Sequence, residues 1–462
     1  MSRIVVIGAG LAGLTSALML AERGHQVRIV TYGWGGLLLS KGTVDVLGWN
    51  TQREHLPTRA PATEILPAFT EFVNTHPDHP YAHIGAHHVL AGVQWLVHKL
   101  PFFSPQELTV VAEREERTAL ANKLLPTAIG AVQPSACVPT SMTASVLANG
   151  KRYLVVGIDN LKDFYPQLVA DNLNASPYVQ VHARAAHIKL PLRHAEADTT
   201  GTTIARCLDK EWGTADFDAL LDQLKGLAHE GETVLLPGVL GLKPDTFTAL
   251  REQLGTPVGE IPLPPPSVPG RRINDFLVHA CREMRVDIML NAGAVGVTTD
   301  SSPAAHTQGA PATDEATPQL VTAVAVRVAG AVKQLPVDAV IYAGGSFDAG
   351  ALERDSFGTI RELLCDIPVW SPEGEIFGSG VRVDSAMRPL GNTADGVPGA
   401  PIFSNLYCAG SIIGGALPWN EGSGEGIALG SAAAAVEALD SFIAARQSTS
   451  AQQPAASTKE NH

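Results

Sequence analysis

Residues 5–36 read VVIGAGLAGLTSALMLAERGHQVRIVTYGWGG, and this stretch decides the fold. A β-branched run leads into Gly8, Gly10 and Gly13, an Ala/Leu-rich helix follows to about Gly24, and HQVRIVTY supplies a second strand. Glycines at this spacing permit a tight turn, close approach of the backbone to a phosphate, and close packing of helix on strand. The helix start, from Leu11 onward, adds free N–H groups and a positive dipole end for the anion. The motif is weak alone, but its place between a strand and a helix is the context that makes it a phosphate cradle rather than a packing device. One part is missing. Where such units place an Asp or Glu to hold a ribose, at the end of the second strand, this chain has Thr31 and Tyr32.

Three further stretches carry chemistry. YGWGGLLLSKGTVDVLGW, 32–49, sets glycines beside Ser40, Lys41, Gly42 and Thr43 just beyond the second strand, where they would overlie a bound cofactor; the bland alternative is a Gly-rich surface loop capped by Asp45. VIYAGGSF places Gly344 and Gly345 at a strand end, either close to the cofactor or in an ordinary turn. In NLYCAGSIIGGALPWNEGSGEGIALGSAAAAVEAL, 405–439, a strand ends at Gly410, a turn runs through Gly414 and Gly415, and a helix starts near Gly422, Ser423 and Gly424. A helix N-terminus aimed there suits the pyrimidine end of a reduced flavin, where negative charge collects.

The chain has 462 residues, 45% of them hydrophobic, enough for a large core in two domains. Lys and Arg number 33 against 46 Asp and Glu, and a net charge of −13 disfavours nucleic acid and anionic bilayers as partners. The five cysteines are scattered without a Cys-x-x-Cys, which excludes a regular disulfide framework, a redox dithiol and a motif-built iron–sulfur cluster. No cleavable signal is expected, and no apolar run is expected to span a membrane.

The pattern gives an α/β, Rossmann-like nucleotide domain with a central parallel sheet and a β-meander, interrupted by an inserted α+β domain. Its N-terminal part covers 1–124, with 51–124 not securely assigned; the insertion covers 125–265, and 266–445 completes the first domain. PLPPPSVPGRRI closes the insertion as a stiff extended segment, 301–318 reads as a flexible loop, and 446–462 as a disordered tail. Arg271, Arg272 and Arg388 are candidate phosphate or interface cations. His83, His87 and His88 are close in sequence, but no carboxylate or cysteine completes a metal site, so no metal and no catalytic base are assigned.

These stretches, in this order, resemble the flavin-dependent reductases and dehydrogenases, and more narrowly the B-subunit family of anaerobic glycerol-3-phosphate dehydrogenase. GAGLAGLTSAL, SKGTVDVLG, HPDHPYAHIG, LPTAIGAVQPSACVP, VVGIDNLKDFYPQLVADNL, LPPPSVPGRRI, VRVDSAMRPL and NLYCAGSIIGG carry the resemblance. It implies an FMN-containing partner of a larger FAD-containing catalytic subunit that oxidises sn-glycerol 3-phosphate to dihydroxyacetone phosphate. An iron–sulfur subunit would anchor the pair at the cytoplasmic face of the membrane and pass electrons to quinone in anaerobic respiration. FMN has no adenosine and so no ribose needing the missing carboxylate; FAD, its ribose held by backbone groups, is the alternative. Two other readings stay open: a self-sufficient FAD-dependent oxidoreductase of another small substrate, and a structural subunit that binds no flavin.

Overall fold

The computed structural model describes residues 1–49, 60–62, 64–104, 110–111, 118–192, 198–210, 214–300, 317–373, 375–393 and 396–452. Most of the expected 301–318 loop and the last ten residues of the expected tail lie outside the described residues.

The chain opens with strand β1 (Arg3–Ile7), helix α1 (Leu11–Glu22) and strand β2 (Gln26–Thr31). Ile4–Ile7 are all buried, the continuous apolar run required of a strand covered on both faces. Helix α1 buries every residue from Ala12 to Leu20 and ends before Gly24, whose φ of +83° is the left-handed conformation that closes helices. Helix α2 (Ala86–Lys99) packs into this same unit, where Gly92 lets it approach Leu429 so closely that a Cβ would stand 2.4 Å from the carbonyl oxygen.

A second unit follows: β3 (Arg152–Ile158), β4 (His182–Ile188), β5 (Glu232–Pro237) and β6 (Val258–Ile261), in spatial order β6-β5-β3-β4. All three pairings are parallel, because helices at Pro166–Asn174, Gly201–Leu208, Ala215–Leu227 and Pro244–Leu254 return the chain between strands. Its apolar cluster, including Leu154, Val156, Phe217, Leu235 and Phe247, is separate from that of the first unit.

Return to the first unit runs through helix α3 (Val268–Glu283), which starts earlier than the proline-rich sequence suggests. Pro269 falls in the first turn, where its missing N–H costs nothing, and Ser267 Oγ accepts from Gly270 N at 3.0 Å. Strand β7 (Asp287–Leu290) joins the main sheet, an antiparallel meander of β8 (Ala292–Thr299), β9 (Val321–Val328) and β10 (Ala331–Pro336) crosses over it, and β11 (Ala339–Tyr342) and β12 (Leu406–Cys408) complete it. The main sheet has the order β7-β2-β1-β11-β12 and is wholly parallel, with Ile7 opposite Val30 on one side and Tyr342 on the other.

Helix α4 (Gly424–Gln452) packs on α1 and α2. It carries helix through 446–452, where a disordered tail was expected. It also corrects the expectation about apolar runs. Over Gly424–Ser448 it is long and apolar enough to cross a membrane by length and composition, but most of that stretch is buried in the core. Its apolarity comes from Ala and Gly, which let helices pack closely, rather than from an obvious Leu/Ile run.

Candidate functional site

The C-terminal ends of β1, β2 and β11 converge on one trough of about 380 Å³. Its floor is the first glycine turn. Gly8 has φ +105°, and a Cβ there would stand 2.1 Å from the Ala343 carbonyl oxygen; on Gly13 it would stand 2.1 Å from that of Gly8. These two glycines clamp β1, α1 and β11 together, whereas nothing lies within 4 Å of the Cβ position of Gly10, which faces the trough. Helix α1 starts at this point with no side-chain cap and no acidic residue in its first turn. Leu14 N bonds back to Gly10 O, leaving the N–H groups of Leu11, Ala12 and Gly13 without intrahelical acceptors. An uncapped helix start beside a cavity, with its positive end unneutralised, fits a phosphate.

Of the residues expected at a cofactor, Gly8, Gly10, Leu11, Ser40, Gly344, Gly345, Gly410 and Gly424 line the trough. The others are placed elsewhere. Gly13 lies behind the floor, and Gly42 packs on Pro269. Gly414 sits on Gly380, Gly415 on the Asp78 carbonyl and Gly422 on Gly48. Ser423 Oγ donates to Glu421 Oε2 at 2.7 Å. Lys41 and Thr43 turn to a second cavity of about 340 Å³, walled by Leu125, Ala128, Leu263 and neighbouring prolines, with Gln133 and Ser135 beside them.

At the far end of the trough Thr31 and Tyr32 replace the ribose carboxylate. Thr31 Oγ1 donates to Gly33 O at 2.6 Å, so its proton is already committed. Tyr32 lays its ring against Gly293, where a Cβ would meet the ring at 2.2 Å. Ala292, Gly293 and Ala294, at the start of β8, complete this end. Nothing in a linear reading linked them to the site, because they reach it only through the pairing of β7 with β2.

Sequence reasoning also missed Glu425. It sits in the first turn of α4, lines the trough, and accepts from Asp45 N at 3.4 Å, 380 residues away in sequence. Asp45 is buried and heavily bonded: it pairs with Lys41 Nζ and accepts from Ser135 Oγ at 2.7 Å, Thr43 Oγ1 at 3.0 Å and Gln133 Nε2 at 3.2 Å. Burial lowers the Lys41 pKa, but the carboxylates of Asp45 and Glu425 outweigh it and hold the ammonium above its ordinary range. For Glu425, burial and the Asp45 charge outweigh Lys41 and push the carboxyl up to about 7. A negative residue in a first helical turn was the one available signal.

Neighbouring buried groups are fixed. His79 Nδ1 accepts from Tyr81 N at 3.1 Å, which leaves Nε2–H to donate to Glu421 at 3.1 Å. Tyr81 hydroxyl bonds to Val46 O and to Ser423 O, tying the 40–49 loop to the start of α4.

The three candidate arginines are each paired with a carboxylate. Arg272, 5% exposed, is buried against Glu260; Arg388 pairs with Asp384 at 2.7 Å and Arg271 with Asp275 at 3.2 Å. His88 bridges Ile84 O and Glu437, with the His87 ring tilted against it, and burial lowers the His83 pKa.

Residues 3–427 match the model of the FAD-binding domain family. The chain belongs to that family. Within this FAD-binding family it is similar to the anaerobic glycerol-3-phosphate dehydrogenase B-subunit of Pectobacterium carotovorum, at 28% identity covering 93% of this chain and 96% of the relative. The corresponding B-subunits of Yersinia pestis and Vibrio vulnificus are each 27% identical, covering 96% and 94% of this chain and 98% and 95% of their own lengths. The FAD-binding family is one of flavin-dependent oxidoreductases.

Proposed function

We propose that this chain is the flavin subunit of a membrane-associated anaerobic sn-glycerol-3-phosphate dehydrogenase complex that yields dihydroxyacetone phosphate and feeds electrons to quinone. The observation that carries it is the phosphate-binding trough within a chain similar along nearly its whole length to the B-subunits of such dehydrogenases. Its partners on this reading are an FAD-containing catalytic subunit and an iron–sulfur subunit that holds the complex at the cytoplasmic face of the membrane. A bound flavin supplies a two-electron acceptor at its N5. The backbone of Gly8–Ala12 would hold its phosphate, and Ser40, Gly410 and Gly424, which line the same trough, would border the rest.

The engaged state of Arg272 supports an electron-transfer role over a self-sufficient one. Buried and bonded through all three guanidinium nitrogens, it would have to break its pair with Glu260 to meet a substrate phosphate.

The flavin we propose is FMN. The ribose carboxylate is absent, the Thr31 hydroxyl is spent on Gly33, and the Tyr32 ring covers Gly293 at the end where an adenosine would lie. One observation favours FAD: the trough continues past the glycine turn to Val30–Gly33 and Ala292–Ala294. The deciding measurement is the visible spectrum of the purified chain with chromatography of the flavin released on heating. FMN is the expected product, FAD transfers the assignment to the dinucleotide, and a folded chain that stays colourless after reconstitution refutes the flavin role.

A further inference from the structure

The start of α4 is not an open anion site. Glu425 occupies it with its own carboxylate, which accepts from the Asp45 N–H while bordering the trough. Of the carboxylates in this cluster, Asp45 is neutralised by Lys41 and bonded by Ser135, Thr43 and Gln133, and Glu421 by His79, Ser423 and the Leu417 N–H. Glu425 alone among the three lines the trough, and among the described residues no salt bridge neutralises it. The charged and titratable groups facing it are Asp45 and Lys41 from the 40–46 loop and Tyr81 from the Pro80–Ile84 helix, with Glu421 just before it in the chain. On the other side of the Asp45 network lies the second cavity, lined by Lys41, Thr43, Gln133 and Ser135.

We propose that Glu425 is the proton-exchanging group of this site: its carboxylate, at the trough wall, takes up one proton when the bound flavin gains two electrons and releases it on reoxidation. The inference rests on the flavin reading above. The balance is simple. Two electrons and one proton reduce the ring to its anionic form, and a second proton converts Glu425 from carboxylate to acid, so no new negative charge is left facing another. The physical cause is repulsion: a carboxylate against a ring that has just become negative raises its own proton affinity. Its resting affinity lies near neutrality, so a modest change moves it between states.

The test is potentiometric titration of the flavin-loaded chain with mediator dyes between pH 6 and 8, reading protons taken up per two electrons from the slope. Wild type is expected to take up as much as one proton more than Glu425→Gln, whose amide keeps the shape and cannot titrate. Equal slopes in two flavin-loaded proteins overturn the proposal. If Glu425→Gln loses its flavin, wild type alone suffices: reduced-minus-oxidised infrared difference spectra near pH 7 must show a protonated carboxyl band gained on reduction, and a spectrum without it overturns the proposal. A wild-type chain that takes up no flavin refutes the parent reading and this one together, whereas flavin binding without the extra proton refutes this one alone.

Discussion

Arg272→Met separates a structural arginine from a substrate-binding one. Arg272 donates from Nη1 and Nη2 to the two Glu260 oxygens at 2.6 and 2.9 Å and from Nε to Gly241 O at 2.7 Å, with Ser141 Oγ at 3.4 Å. Its side chain is 5% exposed and that of Glu260 is fully buried. This pair ties α3, which leads back to the main sheet, to β6 of the second unit. Met fills much of the same volume but leaves the Glu260 carboxylate with the Leu240 N–H at 2.7 Å and no cation, and strips Gly241 O of its donor. Breaking one side of a buried pair costs about 3–5 kcal/mol, because the remaining charge stays desolvated. Replacing both sides with apolar residues is often neutral, so Arg272→Met with Glu260→Leu should recover most of that loss. Urea unfolding followed by circular dichroism gives the three values, compared at equal slope so that midpoint shifts report stability. If Arg272→Met lies within about 1 kcal/mol of wild type, the pair is not what holds the two units and the reasoning from burial is wrong. A cation reserved for substrate would leave stability unchanged.

Two further predictions concern the trough. Glu425 has its folded-state pKa raised to about 7, against roughly 4.3 unfolded. A raised acid is stabilising while protonated, so its contribution is full below about pH 4, declines as pH rises, and is gone above about pH 7, a change of up to about 4 kcal/mol. Glu425→Gln should remove that slope, and melting curves of the flavin-free proteins from pH 4 to 8 that stay parallel would count against the assignment. Thr31→Glu combined with Tyr32→Ala restores a ribose acceptor and clears the ring from Gly293. A charge-assisted hydrogen bond is worth about 1.5–3 kcal/mol, so the FAD-to-FMN affinity ratio should rise about tenfold or more, measured by competition for the flavin-free chain. An unchanged ratio means the adenosine end is not where the trough places it.

Much of the fold could be read locally. β1, α1 and β2 are fixed by a buried β-branched run, glycines at Gly8, Gly10 and Gly13, and an Ala/Leu helix ended at Gly24, features that act within a few residues. The strands Arg152–Ile158 and Glu232–Pro237 were legible in the same way, as short apolar runs. Helix α3 was misread at its start because PLPPPSVPG looks uniformly extended, while a capping serine and a first-turn proline let the helix begin inside it. The length of α4 was missed because Ala and Gly give little periodic signal.

By itself, then, the sequence determined the glycine turn between strand and helix and the uncapped helix start beside it, since that is backbone chemistry and the spacing is local. Tertiary structure alone decided the side chains around it. Asp45 meets Glu425 across 380 residues, Arg272 is spent on Glu260 rather than left for a phosphate, and Gly293 meets Tyr32 only because β7 pairs with β2. A charge in a sequence shows that a proton or counter-ion must be dealt with. Which neighbour deals with it depends on long-range packing and on how much water that packing excludes, and neither can be read from a residue's place in the chain.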